Sequence, residues 1–150
     1  MNLSQIFSHW KQIRAGLLST IDKFNDIDLS YTPFKNSWPV GQIMLHIADA
    51  EDGWFRYTVT RELEKWPEQY CIENYPTKDD IKSALAAVHS RTEHYLESLN
   101  DTDTAQLVVV PWGESIPLLW IIWHVVEHEI HHRGELSLIL GLLGREGLDV

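Results

Sequence analysis

Cysteine is nearly absent from this chain: Cys71, in a loop-like stretch, is the only one in 150 residues. That excludes an internal disulfide framework and any multi-cysteine metal knot. Basic residues are scarce as well, 12 Lys and Arg against 22 Asp and Glu, for a formal charge of −10. Proteins that live on phosphate contacts need a basic face, and no Lys/Arg cluster occurs here. The expected partners are therefore small molecules, with no nucleic acid and no membrane. The first residues show no basic segment followed by an apolar one, so no secretory signal is read. The longest strongly apolar run, Ile116 to Val126, contains Pro117 and falls far short of the roughly 20 residues that span a bilayer. The cytoplasm is the expected location.

What is present is an ordinary balance for one globular domain over residues 1–150, 44% hydrophobic and 23% charged. Seven tryptophans are many for this length, and large aromatics wall pockets and subunit contacts as well as filling cores. Leu3, Ile6, Phe7, Trp10, Ile13, Leu17, Ile21 and Phe24 recur at three-and-four spacing, the mark of a helix with one buried stripe. A loop with Pro33 follows. A second helix starts after Ser37 and fades near Arg61, and a third is capped by Thr77 with Asp80 in capping-box spacing. Leu107 to Val110 reads as a short strand running into the turn Pro-Trp-Gly-Glu114. The last helix runs from Pro117 to Leu143 and stops at Gly144. The expected fold is all-α, an antiparallel four-helix bundle with helices near 3–24, 38–61, 78–99 and 117–143 and a short β excursion or hairpin before the last.

Four of the eight histidines lie within residues 124–132, and His124, His128 and His132 recur every four residues. On a helix such residues stack along one face, about 5–6 Å apart at Cβ. Two neutral imidazoles placed so can converge on zinc, nickel, copper or iron(II). Left without a metal in apolar surroundings, each unmet ring nitrogen costs roughly 1–3 kcal/mol. A third ligand is expected from another helix, and His46, amid Ile43, Met44, Leu45, Ile47 and Ala48, is the well-placed candidate. His9, His89 and His94 sit on mixed or polar faces and are read as surface residues.

The segments Trp123-His-Val-Val-Glu-His-Glu-Ile-His-His-Arg-Gly-Glu-Leu136 and Trp38-Pro-Val-Gly-Gln-Ile-Met-Leu-His46 resemble the DinB-like, or YfiT-like, metalloprotein family over essentially the whole chain. The resemblance implies a divalent transition metal (zinc, nickel or iron) held by His46, His128 and His132, in a four-helix bundle that forms a homodimer. It also implies a reaction: characterised relatives include transferases that use a low-molecular-weight thiol such as bacillithiol or mycothiol, and a thiol-dependent maleylpyruvate isomerase. Three histidines leave a coordination position open, as catalytic sites do. A metal there lowers the pKa of water or deprotonates a thiol outright. Asp49 and Glu135, each three residues past a proposed ligand, can take the other ring N–H of its histidine. His124 continues the stripe one turn up, lining the pocket or supporting the fold. Gly134, costly in a helix interior, is expected to admit close approach of another helix or a ligand.

Two other readings compete. His128-Glu129-Ile130-His131-His132 formally matches the zinc-protease motif H-E-x-x-H. The extended form of that motif needs Gly at 135 and His at 138, where Glu135 and Leu138 stand. The second is a metal-binding bundle without catalysis, acting as a sensor, carrier or interaction module.

Overall fold

A computed structural model describes residues 2–147. Helix α1 spans Leu3–Asp22 and opens on a capping box, Asn2 accepting from the Gln5 N–H while the Gln5 side chain accepts from the Asn2 N–H. Helix α2 spans Val40–Asp52 and passes straight into a π-helical segment, Gly53–Val59. Helix α3, Lys78–Glu97, carries the expected Thr77–Asp80 capping box. Strands β1 (Leu107–Val109) and β2 (Ser115–Pro117) pair antiparallel, Leu107 opposite Pro117 and Val109 opposite Ser115. Helix α4 spans Leu118–Leu142. Its end is closed by Gly144 at φ +72°, with the Arg145 N–H on the Leu140 carbonyl and the Gly144 N–H on that of Gly141. That is a Schellman cap, which needs the left-handed residue glycine adopts freely. The loop expected after α1 folds partly into a 3-10 turn, Asp26–Ser30. Among the described residues no helix is long and apolar enough to cross a membrane.

Two helices run one way and two the other. Trp10 and Arg14 meet Glu129, and Lys23 meets the Glu146 and Gly147 carbonyls, so α1 and α4 are parallel. Glu51 meets His89 and Phe55 meets Tyr95, so α2 and α3 are parallel as well. The antiparallel neighbours are α1 with α3, through Asp22–Lys82 and Lys11–Glu93, and α2 with α4. Parallel α2 and α3 require the chain to travel back along the bundle between them. Residues 60–77 do so beside α2: Trp66 lies over Gly53, the Tyr70 carbonyl accepts from Gln42 Nε2, and Ile72 reaches Gly41.

The core falls into two apolar clusters. One holds Leu17, Ile21, Ile43, Ile47, Leu85 and Ile139; the other holds Ile6, Trp10, Phe55, Leu96, Ile122 and Val126. Between them lies a buried charged layer with one residue from each helix: Arg14, Glu51, His89 and Glu129. Arg14 Nη2 donates to Glu51 at 2.6 Å and to Glu129 at 2.9 Å, His89 Nδ1 lies 2.8 Å from Glu51, and Trp10 Nε1 donates to Glu129 at 2.7 Å. His89 is therefore only 8% exposed, which corrects its reading as a surface residue. Its α3 position turns it onto a carboxylate that no local pattern reveals.

Candidate metal centre

Antiparallel α2 and α4 bring His46 beside the stripe on α4. One nitrogen from each of His46, His128 and His132 lies within 4.8 Å of the other two. The His46 and His128 Nε2 atoms are 3.1 Å apart, and the ring centroids of the three pairs are separated by 4.5–5.0 Å. Carboxylates take the outer nitrogens of two rings. Asp49 lies 3.4 Å from His46 Nδ1 and Glu135 lies 2.8 Å from His132 Nδ1. A proton held on each of these Nδ1 atoms leaves Nε2 as a lone pair, the tautomer a metal ligand needs. The donor set fits a divalent transition metal: three imidazoles from two helices, two of them fixed by second partners. Asp49 is in turn held by the Trp66 indole N–H at 2.9 Å. Gly53 makes room for that indole, since a Cβ there would collide with its ring.

Burial pushes the His128 pKa down to about 3, and the neighbouring His132, His46, His124 and His131 push the same way. Burial also lowers His132, against the raising effect of Glu135. Both imidazoles are thus neutral where a metal would meet them. An unfolded histidine titrates near about 6.5, so between that value and about 3 the unfolded chain holds a proton on His128 that the folded chain does not. Stability must fall as pH drops through this window. In metal-free protein the urea midpoint is expected to decline from about pH 7 to about pH 5, and His128→Gln should flatten part of that decline. Identical slopes for the two proteins would refute the assignment.

The other histidines divide cleanly. His131 is exposed and lies against His132 and Glu135, outside the group formed with His46. His124 does not join the three. Its ring stacks on Trp120 at 4.8 Å and meets Trp54 edge-on at 5.1 Å. Glu129, the would-be base of an H-E-x-x-H site, is 1% exposed and bound by Trp10 and Arg14. Burial raises its pKa, with Glu51 adding to the effect and Arg14 opposing it. Shut away from solvent in that layer, the group has no water to activate, and the protease reading fails on this residue. Gly134 is exposed, and nothing comes within 4 Å of where its Cβ would stand, so within the chain it admits no close neighbour. Sequence reasoning missed the charged layer and Trp66. A signal for the layer existed, since Arg14 falls four residues after Trp10 on an otherwise apolar stripe.

Residues 9–136 match the family model of the DinB superfamily. The chain belongs to the DinB superfamily. One relative of this DinB protein is YizA of Bacillus subtilis strain 168, an uncharacterised protein that is 30% identical over 97 residues. That match covers 63% of this chain and 58% of YizA, less than two thirds of the relative's length. Among solved structures, a DinB-like protein from Bacillus cereus ATCC 10987 superimposes with a TM-score of 0.75 at 17% identity, covering 99% of this chain and 97% of the other. YfiT from Bacillus subtilis, described as a probable metal-dependent hydrolase with an unusual four-helix bundle topology, gives 0.67 at 20% identity over 93% and 87% of the two chains. The mycothiol-dependent maleylpyruvate isomerase gives 0.64 at 12% identity over 88% of this DinB chain and 60% of its own. These likenesses establish the shared bundle.

Proposed function

We propose that this chain is a divalent-metal-dependent enzyme that transfers a low-molecular-weight thiol to a small electrophile. The observation that carries the reading is the convergence of His46, His128 and His132, with Asp49 and Glu135 behind two of them. Three nitrogen ligands leave a position open to a reactant. A bound zinc, nickel or iron ion would supply the positive charge that keeps a thiol, ordinarily mostly protonated at neutral pH with a pKa near about 8.5, as its nucleophilic thiolate. His46 and His132, each with a carboxylate on its other ring nitrogen, would hold that ion together with His128, whose pKa burial lowers to about 3. In the transfer itself the sulfur pair forms the S–C bond, the S–H proton passes to solvent and the leaving group departs with its bonding pair. The mycothiol dependence of one fold-mate supports a thiol cosubstrate, while the description of YfiT favours water as the activated nucleophile at the same position.

The proposed setting is the cytoplasm, where such thiols are kept reduced, and the proposed active species is a homodimer. Exposed apolar side chains along α4, Ile130, Leu138 and Leu142, support a second copy as partner. Metal analysis of gently purified protein, followed by assay of cellular thiols against a panel of electrophiles, tests the function. Stoichiometric metal and metal-dependent conjugation are expected. Tight metal binding without turnover on any thiol would leave a non-catalytic metal-binding module, and ester or amide hydrolysis without thiol would leave a hydrolase.

A further inference from the structure

Five of the seven tryptophans lie near the histidines, Trp38 on the His46 ring and four grouped around Trp54 beside His124, and packing alone does not account for the three most open of them. Trp38 meets the His46 ring edge-on at 4.7 Å. Beyond His124, Trp54 is a hub that touches Trp66 at 6.4 Å, Trp112 at 6.0 Å and Trp120 at 6.1 Å. Trp120 and His124 lie nearly coplanar, 9° between their rings. Trp54 is buried at 8% exposure, as a core residue should be, but Trp38, Trp112 and Trp120 expose 51%, 59% and 47%. Indoles left this open gain little from burial, and a cluster of them beside a reactive centre is the composition of a ligand site.

The geometry points to an aromatic shelf that receives a planar, uncharged aromatic acceptor. Trp120 and His128 are eight residues apart on α4, about 12 Å along the helix axis. His124 lies between them, its ring 6.5 Å from that of His128, so a ring seated at the His124 end of the shelf faces the three histidines. Charge selects against anions, because no lysine or arginine belongs to the shelf and the chain carries −10 overall. Cations are not favoured either. The carboxylates bonded to the shelf's own indoles, Asp49 and Glu114, are occupied by the Trp66 and Trp112 N–H groups at 2.9 and 2.6 Å. The substrate class rests on the thiol-transfer reading, but binding to the shelf does not.

Quenching of tryptophan fluorescence tests the shelf with a ligand that cannot react, 1,3-dinitrobenzene, against isophthalate and tetramethylammonium. Saturable quenching by dinitrobenzene is expected in both metal-loaded wild type and His128→Ala. Trp120→Ala should weaken it about tenfold and Trp120→Phe should restore most of it, in proteins of unchanged circular dichroism. Purely linear, collisional quenching would overturn the proposal. So would equal or tighter binding of isophthalate or tetramethylammonium, or indifference to Trp120→Ala. Loss of thiol transfer with shelf binding intact would sink the proposed function and leave the shelf standing.

Discussion

Replacing His128 by alanine is expected to abolish metal binding and turnover together while leaving the bundle folded. Three nitrogens within 4.8 Å of one another form the proposed site, and His128 faces His46 directly, Nε2 to Nε2 at 3.1 Å. Loss of a mere supporting partner typically costs about 10–100-fold in affinity, so loss of a ligand should cost more than about 100-fold. The apolar clusters above and below the site do not depend on the ion, and the half-buried His128 is not part of either. Calorimetric titration with zinc or nickel, alongside circular dichroism, reads both halves of the expectation. A His128→Ala protein that bound metal as tightly as wild type, or that conjugated thiols as fast, would remove the assignment.

The largest effect on stability is expected at Arg14. Its guanidinium is the buried cation between Glu51 and Glu129, each 1% exposed. Burial raises Glu51, but Arg14 and then His89 outweigh it and hold that carboxylate below its usual range, so it stays charged. Arg14→Leu would strand that charge in the core. Breaking a buried pair from one side costs about 3–5 kcal/mol, on the order of 10 °C in melting temperature at this chain length. Exchanging all three groups, as Arg14→Leu with Glu51→Gln and Glu129→Gln, should recover part of the loss, because no uncompensated charge then remains. Thermal unfolding of the two variants at neutral pH decides the matter. A single variant within about 1 kcal/mol of wild type would show that the layer is not held by its charges.

How much of this was legible beforehand varies with the range of the interaction. The four helices followed from three-and-four spacing, and their ends from local chemistry: Thr77 with Asp80 at one, Gly144 at another. The hairpin before α4 was read from Leu107 to Val110 and the Pro-Trp-Gly-Glu turn, and it pairs as β1 with β2. The sequence pattern predicts one helical run to about Arg61, but its last turns, Gly53–Val59, are π-helical. Nothing in side-chain periodicity announces that change, because it is a shift of backbone hydrogen bonding by one residue.

The amino-acid order by itself determined the four helices and the hairpin, the stripe His124, His128, His132 and the neighbours at i+3, Asp49 and Glu135, since all of these are set within one or two helical turns. Only the tertiary structure decided which histidine completes the stripe's group in space, because that depends on α2 running antiparallel to α4, a consequence of the long return of residues 60–77. The same packing turned His89 and Glu129 inward onto Arg14 and Glu51, and carried Trp54, Trp66, Trp112 and Trp120 from four separate stretches to one side of the site. Such contacts link residues tens of positions apart, and no local period encodes them. They arise when the apolar stripes are buried against one another and the polar groups caught between them must find partners.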